Sequence, residues 1–334
     1  MRKTSASVKP NQRRCTVSKK TLAVISTLAL LCCLSLGARS QTYPAKPVTI
    51  ILPFAAGSGF DVLVRRYSAS LQEEIKQSVL VDNRVGAGGA IGTAAAAKAA
   101  PDGYTVLFLG GDSMTPIFGK QYPNILEVMT PVIMLARGAF FLITSTTAPG
   151  DIQEFIRYVK ANPGKHNYAS VAPTQMLPME VVKQRAQIDL VLVPYKSIAQ
   201  VNQAFIQGDV LAYASIPTGL EPALTGGKAR LLVYLDTERN PLFPDVPAAP
   251  EVGLGNILAR FSFGVWVPNG TPPGIVSQLN AAFNAVAKRP EIEAMLKTQG
   301  ARTVGGSPQF HGDSIRASQA FWAEAIRVAR YVPD

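Results

Sequence analysis

Short apolar runs alternate with amphipathic stretches from Tyr43 onward. "VTIIL" (48–52) is an apolar run broken only by Thr49, the pattern of a parallel strand covered on both faces. In "FDVLVRRYSASLQEEIK", which follows, Leu63, Tyr67, Leu71 and Ile75 recur every four residues and mark one face of a helix. "VLV" (79–81) predicts a second strand. "TAAAAKAA" predicts a second helix, closed by the turn Pro101-Asp102-Gly103, and "YTVLFL" (104–109) a third strand. Strand and helix in this alternation imply right-handed crossovers and a doubly wound sheet.

The pattern then begins again. "PVIML" and "FFLITS" are apolar runs, and "DIQEFIRYVKANPG" is a helix with Ile152, Phe155, Ile156 and Val159 on one face and Asn162-Pro163-Gly164 as its stop. "LVLVPY" (190–195), "VLAYA" (210–214) and "RLLVYL" (230–235) predict strands with helical pieces between them, and "FSFGVWVP" (261–268) predicts one more. "TPPGIVSQLNAAFNAVAK" opens a helix on Pro272-Pro273, with Ile275, Leu279, Phe283 and Val286 on one face; a last helix carries Ile315, Trp322, Ile326 and Ala329. Two sets of α/β units without an internal repeat or long linker point to an α/β fold. Two lobes, each a doubly wound, mostly parallel sheet, with the chain passing out and back, are one economical solution that periodicity alone does not require. The expected boundaries are 41–139 with 264–334 for lobe 1 and 140–263 for lobe 2. A cleft between them, at the carboxyl ends of the strands, is the expected ligand site.

Two glycine loops compete for that role. "NRVGAGGAIGTAAAA" (83–97) has the strand–loop–helix layout of a phosphate cradle. Gly86 and Gly88 fit a G-x-G-x-x-G spacing, but Ile91 stands at the third position and Gly92 follows it. The acidic ribose partner is missing too, since Asp102 lies in a turn. The loop therefore reads as a tight turn beside the cleft, its glycines admitting positive φ. "PFAAGSGFD" (53–61) follows the first strand and opens the first helix. Small residues at Ala56, Gly57, Ser58 and Gly59 let a ligand approach unsatisfied N–H groups at the helix start, which favour an anion. Phe54 and Phe60 would wall such a site, and Asp61 would cap the helix or orient the loop. An ordinary tight turn accounts for the pattern equally well. "GGDS" (Gly110, Gly111, Asp112, Ser113) ends the third strand near the same point. Ser170, Thr174, Gln175 and Lys196 are the polar residues that an opposite lobe would offer.

Catalytic constellations are poor. His166 and His311 are the only histidines, both in polar, turn-like sequence, and neither H-E-x-x-H, G-x-S-x-G nor a paired metal-ligand spacing occurs. Binding is favoured over chemistry, with no metal and no cofactor expected.

Charge modifies the picture only at the N-terminus. The formal net charge is +11, but residues 1–40 hold eight basic groups and no acid, and beyond them 25 basic face 22 acidic groups, leaving +3. That is no electrostatic footprint for nucleic acid. Within 1–40, a basic stretch ends at Lys19-Lys20. The apolar run "TLAVISTLALLCCLSLGA" follows, and small residues Ala38 and Ser40 close the segment, as in an export signal. Cys15, Cys32 and Cys33 all lie in this segment, so an exported mature chain would hold no disulfide and no thiolate.

In order along the chain, "YPAKPVTIILPFAAGSGFDVLVR", "VDNRVGAGGAIGTAAAAKAAPDGYTVLFLG", "ANPGKHNYAS", "VPYKS", "FPDVPAAPEVGL" and "VPNGTPPGIVSQLN" resemble the Bug family. Its members are periplasmic solute-binding proteins of tripartite tricarboxylate transporters. The resemblance, over about Tyr43 to Arg330, implies a type II periplasmic binding fold, the Venus flytrap. It implies a small organic acid or related ligand held by first-lobe loops 54–61 and 110–113, with Ser170 and the region around Ser215 from the second lobe. It also implies transporter subunits as partners, a periplasmic monomer and no enzyme activity. The chain departs from the family pattern. Ser58 replaces a glycine, Phe60 a small polar residue, Met176 stands about where a histidine is usual, and Ala214-Ser215-Ile216 lacks an aspartate. The apolar gains at Phe60, Met176 and Leu177 point to a ligand with an apolar body. A sensor protein docking on a kinase ectodomain is the alternative with the same fold, and a dinucleotide enzyme the alternative resting on Gly86–Gly92.

Overall fold

The computed structural model describes residues 43–332 apart from 113, 115–117 and 299, so the predicted export segment, all three cysteines and Ser113 lie outside the described residues. The described residues from Lys46 onward belong to one compact unit.

Strand β1 (Val48–Leu52) runs parallel to β2 (Val79–Asn83) and β3 (Thr105–Leu109), with Ile50 opposite Val81 and Val106. Helices α1 (Gly59–Ile75) and α2 (Ala90–Ala97) provide the crossovers. Leu63, Tyr67 and Leu71 are buried, as the four-residue spacing predicts. After the short α3 (Ile125–Val128), β4 (Met129–Ala139) crosses the sheet and passes through Phe140 directly into β5 (Phe141–Ser145) of a second sheet. That sheet adds β6 (Asn167–Ser170), β7 (Val191–Pro194), β8 (Ala212–Ser215) and β9 (Ala229–Tyr234), joined through α4 (Ile152–Lys160), α5 (Pro173–Ala186), α6 (Ile198–Gln207) and α7 (Glu221–Thr225). The chain returns along β10 (Arg260–Pro268) and ends with α8 (Pro273–Ala287), α9 (Pro290–Thr298), β11 (Arg302–Thr303) and α10 (Pro308–Ala329).

The sheets have the orders β11-β4-β10-β3-β1-β2 and β7-β6-β8-β5-β9. Both are mixed rather than mostly parallel. β10 is antiparallel to β3 and β4, β11 to β4, and β5 to both neighbours. The cause is the double crossing: the outgoing β4 and returning β10 lie side by side, from Arg260 opposite Ala139 to Pro268 opposite Met129, and must run in opposite directions. The return strand already begins at Arg260, ahead of the expected boundary at 264.

Two elements escape the periodicity. Helix α5 carries no clean apolar stripe, because it is covered on more than one side. Leu177, Met179, Val181 and Val182 are buried, and α10 lies against it, with Arg185 and Glu324 paired at 3.1 Å. Helix α9 is a short addition after Pro290. The last helix, about 33 Å long at 1.5 Å per residue, joins two cores. Ile315 packs with Trp266 and Leu107 on the first sheet, whereas Phe321, Trp322 and Ala325 belong to a second core with Leu177 and Val182 of α5. It is not confined to the lobe that the expected boundaries gave it. No helix among the described residues is long and apolar enough to cross a membrane.

Candidate functional site: a cavity between the two sheets

A cavity of about 400 Å³ lies between the sheets, just beyond the carboxyl ends of β1, β3, β6 and β8. Phe54 and Phe60 reach it from the two ends of the loop after β1. Gly88 reaches it from the loop after β2, and Leu109, Gly110, Asp112 and Met114 from the end of β3. Thr174 and Gln175 enter from the first turn of α5 and Ile216 from the end of β8. The floor is the crossing itself, Phe140 with Arg260–Phe263, closed by Trp322 of the last helix.

The loop "PFAAGSGFD" contributes its phenylalanines and turns its centre away. Ala55, Ala56 and Gly57 are exposed, and Ala56, Gly57 and Ser58 are not in the wall. The physical reason is Asp61. Its buried carboxylate accepts the Gly57 N–H at 2.9 Å, Arg65 Nε at 2.9 Å and Asn83 Nδ2 at 3.0 Å, while Ser58 Oγ accepts the Asp61 N–H. Asn83 also donates to the Phe54 carbonyl. An internal carboxylate thus takes up an N–H of the anticipated anion cradle. Arg65, that N–H and Asn83 hold the Asp61 pKa down at about 2.

Gly110 sits where no side chain fits: a Cβ would overlap the Ser262 carbonyl oxygen. Gly110→Ala is therefore expected to cost about 1–3 kcal/mol by overpacking against immovable backbone. Urea unfolding checks this, and an unchanged midpoint would contradict it. Gly111 faces away from the cavity, onto the Trp266 ring. Asp112 is buried in the wall, accepting from Ser262 Oγ at 2.5 Å. Burial pushes its pKa up, and the Ser262 hydroxyl opposes that shift.

From the second sheet, Thr174 and Gln175 face the cavity, whereas Ser170 donates to the Ala172 carbonyl and lines a separate hollow with Met176 and Tyr195. Lys196 is exposed, its N–H bound by Gln200. Ser215 is buried one residue before Ile216, outside the wall, and Leu177 is core. Of the apolar gains noted in the sequence, only Phe60 reaches the cavity.

The crossing residues were missed by sequence reasoning. Arg260 is bound by Asp236: Nε donates to Oδ1 and Oδ2 at 2.9 and 3.0 Å and Nη2 to Oδ1, with the side chains only 18% and 7% exposed. Arg137, opposite Ser262 and Arg302 in the ladder, lies close to the pair. Burial pushes its pKa down, and the neighbouring Arg260 adds to the shift. An arginine at the head of an otherwise apolar strand was the available signal, since buried charge requires a partner or a cavity. The glycine loop after β2 does reach the site through Gly88. Its residues 86–89 all have positive φ, and a Cβ on Gly88 would meet the Tyr122 hydroxyl. No group of three or more His, Cys, Asp or Glu suited to a metal occurs among the described residues.

A family profile described as tripartite tricarboxylate transporter family receptor matches residues 63–327. Protein BugT of Bordetella pertussis is 31% identical over 314 residues, covering 92% of this chain and 96% of its own. Among solved structures, R. palustris Rpa4515 with adipate is 29% identical with a TM-score of 0.71, covering 87% of this chain and all of that one. MatC (Rpa3494) from Rhodopseudomonas palustris, with bound malate, is 27% identical with a TM-score of 0.67, covering 85% of this chain and all of that one.

Proposed function

Since the chain belongs to the tripartite tricarboxylate transporter receptor family, we propose that it captures a small carboxylate-containing metabolite in the cavity between its lobes and delivers it to the membrane subunits of such a transporter. The observation that carries this reading is the cavity at the double crossing, with one guanidinium in a wall that is otherwise largely apolar. Related proteins solved with adipate and malate support the ligand class. In this reading lobe 1 is built on the first sheet and lobe 2 on the second, hinged where β4 and β10 pass between them. Ligand touching Phe54, Phe60, Gly110 and Asp112 on one side and Thr174 and Gln175 on the other stabilises the closed state by its differential affinity. The transporter recognises that state. Residues 1–40 export the chain to the periplasm, where it works as a monomer. It binds rather than converts its ligand, and His166 and His311 lie outside the cavity wall.

Native mass spectrometry of protein purified without refolding tests the reading. A releasable small organic acid, or saturable uptake of added carboxylates, is expected. Binding of nucleotides in place of carboxylates would overturn it. Uptake by a strain lacking the protein separates transport from sensing: loss of accumulation of the ligand is the expected result.

A further inference from the structure

The five phenylalanines of the cavity form one connected ribbon. Ring centroids are 4.4 Å apart for Phe54 and Phe60, 5.0 Å for Phe60 and Phe263, 5.6 Å for Phe263 and Phe261, and 6.0 Å for Phe261 and Phe140. All are aromatic contact distances. The ribbon runs from the first loop to the crossing, so it spans the cavity rather than decorating one corner. Beside it stands Arg260, the one basic residue in the wall. Asp236 and Thr237 engage its Nε and Nη2, while Nη1 makes no hydrogen bond among the described residues. Arg137 lies close to both Arg260 and Asp236, so two guanidiniums stand beside one carboxylate, and Arg302 lies next to Arg137. The crossing has a local excess of positive charge that an arriving carboxylate would neutralise. Asp112 and its Ser262 partner occupy the same wall, where a second carboxylate on the ligand would meet a like group.

Resting on the carboxylate-binding reading, we infer that the ligand is a monocarboxylate with an aromatic body: Arg260 receives the carboxylate and the phenylalanine ribbon receives the ring. A flexible dicarboxylate of four to six carbons has little apolar surface for that ribbon, whereas a ring both stacks and fits a cavity of this size.

Calorimetric titration with 3-phenylpropionate, hexanoate, adipate and 3-phenylpropionamide tests this. The expected order is 3-phenylpropionate at least tenfold tighter than hexanoate and adipate, with the amide weaker than the acid by a similar factor. Phe60→Ala should weaken 3-phenylpropionate several-fold and by a clearly larger factor than adipate. Replacing both members of the pair, Asp236→Asn with Arg260→Gln, removes the charges together and keeps the fold testable. That variant should lose the preference for acid over amide. Adipate equal to or tighter than 3-phenylpropionate would overturn the aromatic assignment and leave the carboxylate reading standing. Amide binding as well as acid would overturn the carboxylate reading itself, as would binding of none of the acids. An acid preference that survives in the double variant would remove Arg260 from the account.

Discussion

Asp236→Ala is expected to lower the unfolding free energy by about 3–5 kcal/mol, the usual cost of leaving one member of a buried ion pair alone. Arg260 would keep its charge with its side chain only 18% exposed, and the nearby Arg137 would add like-charge repulsion. The Thr237 N–H, which Asp236 accepts at 2.7 Å, loses its partner as well. For a chain of this size the loss corresponds to a fall in melting temperature of about 10 °C. The double replacement that removes both charges should cost less than the single one, because no orphaned ion remains. Thermal melts of the three proteins check this. A single variant within about 1 kcal/mol of the wild type would mean that the pair is more hydrated than its burial indicates.

The second large effect is a loss of stability in acid caused by His311. The imidazole is fully buried in α10 and tilted against the Trp266 ring, centroids 4.3 Å apart. Neither ring nitrogen has a hydrogen-bond partner among the described residues. Burial alone drives its pKa down to about 3 from the ordinary 6.5. The unfolded chain then binds a proton near pH 6.5 that the folded chain refuses until about pH 3. Folding is favoured fully above 6.5 and loses up to about 1.4 kcal/mol per pH unit between those values as the pH falls. From pH 7.5 to 4.5 this one group should cost the wild type about 3 kcal/mol. His311→Leu should flatten the profile by that amount, read by urea unfolding at the two pH values. Parallel profiles for wild type and variant would contradict the assignment. Asp112 titrates in both proteins, and its opposite contribution cancels in the comparison.

Elements with one buried face were legible before any coordinates. The stripe Leu63, Tyr67, Leu71 placed α1, and the largely apolar "VTIIL" placed a central strand. Elements covered on several sides were not, since α5 packs between the second sheet and α10 and so loses its period. Strand direction was equally hidden. An apolar run records burial but not its neighbour, and the antiparallel pairing of β4 with β10 follows only from the chain passing out and back. The same division runs through the candidate site. Phe54, Phe60, Gly110, Asp112, Thr174 and Gln175 were picked out because loops at strand ends face clefts, and they line the cavity. Small side chains mark Ala56 to Gly59 in the sequence, but the Asp61 carboxylate takes the Gly57 N–H, and Ala56 and Gly57 face solvent. Arg260 and the phenylalanines of the crossing went unnoticed because sequence spacing cannot say that two distant strands meet beneath the cleft. The loop "NRVGAGG" keeps a modest part, reaching the wall through Gly88.

The most direct test of the central claim uses the tryptophan in the cavity wall. The chain has two, Trp266 in the first core and Trp322 beside the cavity. In a Trp266→Phe variant Trp322 is the only indole, and its emission reports occupancy of this cavity. Titration with a carboxylate that calorimetry finds to bind should shift that emission saturably, with the same midpoint as the heat. Saturable heat with unchanged Trp322 emission would place the ligand elsewhere and contradict the account.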